Sequence, residues 1–103
     1  MADTFSYKLT TESELFSFDF SQILNPTETL STASCSVIVM DGTDNNSSAI
    51  LDGSPTISGN KANQRITGGV SEVTYRLVMT VLTSQTNTYT AVGDIPVYAP
   101  NLV

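Results

Sequence analysis

The sequence predicts an all-β protein, and three of its features lead to that prediction. Residues 15–20 alternate strictly, because Phe16, Phe18 and Phe20 are separated by a serine and an aspartate. Residues 74–82 alternate as well, with a large apolar side chain at every odd position. Such period-two alternation is typical of a strand with one face on a core. Turn signals recur about every 8–12 positions, which fits six or seven strands in two packed sheets.

The most informative stretch runs from Gly68 to Thr83. Gly68 and Gly69 provide a sharp entry to its strand, because glycine takes positive φ without steric cost. Tyr75 near the head of the strand is similar to the tyrosine corner of immunoglobulin-like sandwiches, whose hydroxyl holds the preceding corner. We therefore expect an immunoglobulin-like β-sandwich of about seven antiparallel strands. The apolar face of this strand carries Tyr75, Leu77, Met79 and Val81.

The flanking segments predict the rest of the sandwich. Residues 28–40 alternate with a change of phase between Leu30 and Ala33, which a β-bulge would absorb. Residues 88–97 form the last strand, and Pro96 near its end fits an edge position that can spare its N–H. A short apolar segment predicts a strand at 49–51, and residues 56–58 and 63–66 predict either two short strands or one strand broken near Gly59. The chain thus divides into an N-terminal arm or edge strand at 1–14, the sandwich at 15–97 and a C-terminal tail at 98–103.

The composition excludes several classes of partner. The net charge is −6, with ten acidic and four basic residues, so the chain lacks the cations that a nucleic acid or an anionic membrane would require. No apolar run approaches the length of a membrane span, and no secretion signal is evident. The single cysteine, Cys35, allows no internal disulfide and lies on the predicted core face, where we expect a small buried hydrophobe. We therefore expect the protein to be synthesised and folded in a cytoplasm.

The sequence also offers no catalytic or metal-binding set. The chain has no histidine, so metal catalysis and nucleophilic triads lack their usual base or ligand. Paired carboxylates stay formally open, but the acidic residues lie mostly in turns and near the N-terminus. Residues 41–52 superficially match a calcium loop, yet the glycine required at its sixth position is Asn46. We expect no enzyme, no cofactor and no metal site, and an ordinary loop at 41–52.

Several segments between residues 8 and 90 carry a family resemblance: Lys8, residues 14–21 (ELFSFDFS), 28–34 (ETLSTAS), 67–75 (TGGVSEVTY) and 83–84 (TS). Together they resemble a family of small tailed-bacteriophage virion proteins described as fibre–tail adaptors. The chain departs from that pattern at Leu9, where the family often has Asp-Pro, and at Phe20, where it commonly has tryptophan. Glu72 replaces the third glycine of the corner, and the last hairpin, residues 84–87, lacks the family glycine.

The resemblance implies a non-enzymatic structural protein of a phage particle, made in the host cytoplasm. It implies a bridge between the tail or neck and the fibres, in multiple symmetric copies. Such a role requires an exposed strand edge or an arm that pairs with another chain. Residues 1–14 and 98–103 are the candidates, with contacts expected from Phe5, Tyr7, Leu9, Tyr98 and Leu102.

Two alternatives to the adaptor remain open. A cement protein of the same fold would decorate the shell by binding the major capsid protein at the junctions between its subunits. A glycan-binding adhesion module would instead use exposed aromatic rings, but the spacing of the tyrosines gives no reason to place such rings together.

Overall fold

A computed structural model describes residues 3–4 and 6–103 of the chain. Two short 3-10 helices lie at Ser47–Ile50 and Pro100–Leu102. Within the described residues, no helix is long and apolar enough to cross a membrane. The strands are β1 (Asp3–Thr4), β2 (Lys8–Leu9), β3 (Ser13–Asp19), β4 (Leu30–Asp41), β5 (Leu51–Ser58), β6 (Lys61–Thr67), β7 (Val73–Thr83) and β8 (Thr88–Tyr98).

The strands form two sheets, which confirms the predicted all-β sandwich. One sheet has the order β3-β6-β5, and the other has the order β8-β7-β4 with the short β1 and β2 added beside β8. The six long strands pair antiparallel, whereas β1 and β2 pair parallel with β8. In an immunoglobulin sandwich, strands B, E and D form one sheet and C, F and G the other. The six long strands follow that order, with β7 in the place of strand F.

The core lies between the aromatic face of β3 and the apolar face of β7. Phe16, Phe18 and Phe20 are at most 5% exposed, and they belong to the same hydrophobic cluster as the β7 side chains. Burial of each such side chain contributes on the order of 1.5–3 kcal/mol. Alternation therefore sets which face of each strand points inward. The four β7 residues on this face, Tyr75, Leu77, Met79 and Val81, are fully buried.

Strand β4 is the outer strand of its sheet and is irregular at both ends. Its pairing with β7 shifts register between Leu30 and Thr32, where the sequence changes phase, and again between Val39 and Asp41. Cys35 packs against the core but is only half-buried, not fully buried as expected, because β4 is the outer strand of its sheet. Burial still raises the pKa of the Cys35 thiol to about 11.

The prediction of a strand at 49–51 was wrong for its first two residues. Residues 49–50 end the 3-10 helix, and β5 begins at Leu51. The 3-10 turn places Ile50 in the core, where it is 3% exposed. Its side chain is therefore buried although it does not lie in a strand. The strands predicted at 56–58 and 63–66 lie within β5 and β6.

A buried carboxylate holds the β7–β8 turn, residues 84–87. Glu28 is 4% exposed, and its side chain accepts hydrogen bonds from the Thr83 hydroxyl, the Asn87 amide and the Asn25 backbone N–H. These bonds keep the pKa of Glu28 below its ordinary value. Thr86 takes the positive φ of 62° in this turn, a conformation that glycine adopts more easily.

Candidate partner-contact site

The N-terminal arm lies along β8. Asp3 and Thr4 pair with Gly93 and Asp94, and β2 pairs with the last two residues of β8. The Thr10 N–H donates to the Tyr98 carbonyl at 3.0 Å, which continues the contact beyond β2. The arm is therefore docked on its own sandwich at both stretches. The predicted contact residue Phe5 lies outside the described residues.

Lys8 anchors the root of this arm. Its side chain is fully buried, and its ammonium donates to the carbonyl oxygens of Gly68 at 2.6 Å and Leu9 at 2.8 Å. Burial lowers the pKa of Lys8, while the nearby carboxylates of Glu12 and Glu14 act in the opposite direction. Since a buried charge is costly unless hydrogen-bonded, these two carbonyls stabilise Lys8 in this position. Lys8 thereby joins the arm to the glycine corner before β7.

We expect Lys8→Ala to loosen the arm while leaving the sandwich folded. The substitution removes the charge-assisted hydrogen bond between Lys8 and the Gly68 carbonyl, which contributes about 1.5–3 kcal/mol to the link between β2 and the corner, and a second bond to Leu9 within β2. Amide exchange at Leu9 and Thr10 should accelerate at least about tenfold, because 1.4 kcal/mol corresponds to that factor. Exchange measured by mass spectrometry tests this, with Lys61→Ala, an exposed lysine of β6, as the control. Equal protection of the arm in both variants would contradict the anchoring role.

The arm and the tail meet at the end of β8. The rings of Tyr7 and Tyr98 pack edge to face, with their centroids 6.0 Å apart and their planes at 69°. Leu9 lies opposite Tyr98 in the β2–β8 register. Leu102 follows in the 3-10 helix after β8 and is exposed. Of the five predicted contact residues, Tyr7 and Leu9 thus lie on the arm, Tyr98 ends β8 and Leu102 follows it by four positions. We call Tyr7, Leu9, Tyr98 and Leu102 the arm–tail patch.

The patch is both apolar and accessible. Tyr7 is 52% exposed and Leu102 is 49% exposed, and Val103 beyond it is also exposed. Leu9 and Tyr98 are half-buried. Aromatic side chains that keep one face in solvent are enriched at protein–protein interfaces, because they bury a large area with little loss of conformational freedom.

The corner before β7 is held by the Tyr75 hydroxyl and in turn holds the start of the tail. The Tyr75 hydroxyl accepts a hydrogen bond from the Val70 N–H at 2.8 Å and donates to an Asp44 carboxylate oxygen at 2.7 Å. Burial and the Asp44 carboxylate raise the pKa of Tyr75 to about 12. The Ser71 hydroxyl in the same corner accepts from the Ala99 N–H at 2.9 Å, which holds the start of the tail.

The corner also contains one departure from the family pattern. Glu72 stands where the family has glycine, and its φ is +67°, in the left-handed region that favours glycine. Its N–H donates to the Val97 carbonyl at 2.7 Å, so the backbone is held in this conformation by β8.

The loop at 41–52 uses its carboxylates for protein contacts. One oxygen of Asp44 accepts from the Tyr75 hydroxyl and the other from the Asn46 N–H at 2.9 Å. Asp41 accepts from the Gly42 N–H at 3.0 Å, as in an ordinary turn. Among residues 3–4 and 6–103, no three acidic or thiol side chains are grouped so that they could hold a metal ion.

Sequence reasoning found the apolar members of the patch but missed its anchor. Lys8 was noted only as part of the family resemblance, because a lysine in an alternating segment normally points to solvent. A signal did exist in the phase of the segment. Tyr7 and Leu9 flank Lys8, so if both tyrosine and leucine face outward, the lysine must face the sandwich.

Comparison with known proteins gives one family. The family model described as podophage GP4 fiber-tail adaptor protein gp77 matches residues 8–95. That range begins at the anchor Lys8 and ends within β8. No curated protein and no solved structure matches the chain.

Proposed function

This chain belongs to the podophage GP4 fiber-tail adaptor protein gp77 family, and from that premise we propose that it joins the tail to its fibres through the arm–tail patch. In this proposal the protein acts as a non-enzymatic part of the virion, made in the host cytoplasm and present in several symmetric copies. One observation carries the choice of surface. The arm and the tail, which sequence alone left as two separate candidates, converge on β8, with the rings of Tyr7 and Tyr98 in contact.

The patch suits an adaptor because it is apolar but firmly supported. Lys8 and the tyrosine corner fix the arm and the start of the tail to the sandwich. A contact surface that is already ordered loses little conformational entropy when a partner binds. Its exposed side chains can then serve as anchors that enter pockets of the partner, as hot-spot residues do.

We expect Tyr7→Ala combined with Leu102→Ala to weaken binding to the tail or the fibre protein at least about tenfold. Truncating an interface anchor commonly costs more than about 1 kcal/mol, and the two losses together exceed a factor of ten. The free energy of unfolding should fall by only about 0.5–1.5 kcal/mol, because both side chains are about half exposed and the main loss is the contact between Tyr7 and Tyr98. Affinity is measured with the purified tail and fibre proteins separately, and incorporation is measured in assembled particles.

A matched control uses equally exposed apolar residues elsewhere on the molecule. Leu15→Ala combined with Ile23→Ala removes side chains that are 47% and 50% exposed, outside the patch. This variant should bind and incorporate normally. Equal binding by both double variants would contradict the patch as the contact surface. Copies of the protein spread over the whole shell would contradict the adaptor role and favour the cement protein.

A further inference from the structure

A small hollow lies directly beside the arm–tail patch. Its volume is about 220 Å³, and the residues that line it include Asp41, Glu72, Thr74, Pro96 and the patch residue Tyr98. Pockets for small molecules commonly measure about 300–1,000 Å³, so this smaller hollow has room for a single side chain of a partner. Because Tyr98 belongs to both, the hollow and the arm–tail patch form one continuous surface.

The glycine corner and the end of β4 bring the two acidic residues of the hollow together. Asp41 ends β4 and lies opposite Thr74 of β7. Glu72 precedes β7, and its N–H donates to the Val97 carbonyl of β8 at 2.7 Å. The chain after Asp41 approaches so closely that a Cβ at Gly42 would lie 3.0 Å from the Glu72 carbonyl oxygen. The side chains of Asp41 and Glu72 are both exposed.

Among residues 3–4 and 6–103, no basic side chain forms an ion pair with the two carboxylates of the hollow. The one ion pair of this part of the chain joins Arg76 to Asp94. Lys8 is fully buried, and its ammonium donates to backbone carbonyls. The other two basic residues, Lys61 and Arg65, lie on β6 in the other sheet. The hollow therefore carries negative charge that the protein's own basic side chains leave uncompensated.

A basic side chain suits this hollow better than a metal ion does. Calcium takes six to eight oxygen ligands, whereas no three acidic or thiol side chains are grouped for a metal anywhere in the described part of the chain. An arginine pairs with carboxylates through its planar guanidinium and stacks on aromatic rings such as that of Tyr98. A second copy of this chain suits it poorly, because each copy has a net charge of −6 and like charges repel.

On the basis of the adaptor role proposed above, on which this inference depends, we propose that the protein docking on the arm–tail patch inserts a basic side chain, arginine or lysine, into this hollow. The patch supplies apolar contact, and Asp41 and Glu72 supply charge complementarity at its rim. Charges at the rim of an interface act mainly on the rate of association and on its salt dependence. Most other interface contacts act on the rate of dissociation, so kinetics separates the two contributions.

Neutralising the hollow tests the proposal. Asp41→Asn combined with Glu72→Gln nearly preserves the size of both side chains and changes the net charge from −6 to −4. Association rate constants are measured separately with the purified tail protein and the purified fibre protein. For the one that docks on the patch, we expect a fall of about threefold to tenfold at low salt. In about 1 M salt the difference should largely disappear, because charges are then screened beyond about 3 Å.

A matched control changes the net charge equally but away from the hollow. Asp19→Asn combined with Asp52→Asn neutralises two exposed carboxylates of the other sheet. This variant should associate nearly as fast as the original chain. Far-ultraviolet circular dichroism verifies that both double variants are folded. Equal association rates for the two double variants would overturn the proposal.

Failure of this proposal differs from failure of the proposed function. If Tyr7→Ala combined with Leu102→Ala weakens binding while both charge variants associate like the original chain, the patch is the contact surface but its partner inserts no basic side chain. If the original chain binds neither the tail protein nor the fibre protein, both proposals are wrong. Self-association that Tyr7→Ala combined with Leu102→Ala abolishes would also overturn the proposal, because an acidic copy would then occupy the patch.

Discussion

Phe18→Ala is expected to lower the free energy of unfolding by about 3–5 kcal/mol. Phe18 is 5% exposed and belongs to the same cluster as the fully buried side chains of β7. Removing its ring forfeits the transfer free energy of the aromatic group and leaves a cavity that the two close-packed sheets can fill only in part. A domain of this size is stable by about 5–15 kcal/mol, so the variant should be partly or largely unfolded at moderate urea.

Leu15→Ala provides the control within the same strand. Leu15 is 47% exposed on the opposite face of β3, so its truncation should change the unfolding free energy by about 0.5 kcal/mol or less. Urea unfolding followed by circular dichroism measures both variants. A loss below about 1 kcal/mol for Phe18→Ala, or equal losses for the two variants, would show that the faces of β3 are assigned wrongly.

Tyr75→Phe is expected to lower the free energy of unfolding by about 1–3 kcal/mol, because it removes two part-buried hydrogen bonds, one of them to a carboxylate. The ring stays in place, so no cavity forms. What is lost is the hydroxyl that accepts from the Val70 N–H and donates to Asp44. The loss should appear in urea unfolding, and Tyr7→Phe, which changes an exposed tyrosine, should show little effect.

The Tyr75 hydroxyl also makes the free energy of unfolding depend on pH in the alkaline range. Burial and Asp44 raise the pKa of Tyr75 to about 12 in the folded chain. The pKa of a tyrosine in the unfolded chain is about 10. Between these values the unfolded chain has released a proton that the folded chain retains. The contribution of Tyr75 is therefore complete below about pH 10 and is lost as the pH rises toward 12. Tyr75→Phe should show a smaller fall in stability across that range, and an unchanged fall would contradict this assignment.

The sequence-based prediction succeeded where a residue's environment follows from its neighbours in the chain. In β3 and β7, side chains at alternate positions must share a face, so Phe16, Phe18 and Leu77 could be assigned to a core before any pairing was known. The glycine corner could also be predicted from adjacent residues, and Gly68 and Gly69 both take positive φ, at 65° and 103°. The signal failed at residues 49–50, because a short apolar segment can be buried from a 3-10 turn as well as from a strand.

Only part of the candidate site could be predicted from the sequence. Tyr7 and Tyr98 could be named as apolar side chains on an arm and a tail, but their contact depends on β2 and β8 lying side by side. The hydrogen bond between Lys8 and Gly68 could not be predicted, because the two residues are sixty positions apart along the chain.

The sequence alone determined that this chain forms a two-sheet sandwich with a tyrosine corner, because alternation and glycine conformation act between neighbouring residues. Tertiary structure alone decided that the arm returns to β8 and that Lys8 is buried beneath it. Those features depend on which strands become neighbours, and strand order is fixed by the packing of residues far apart in the chain.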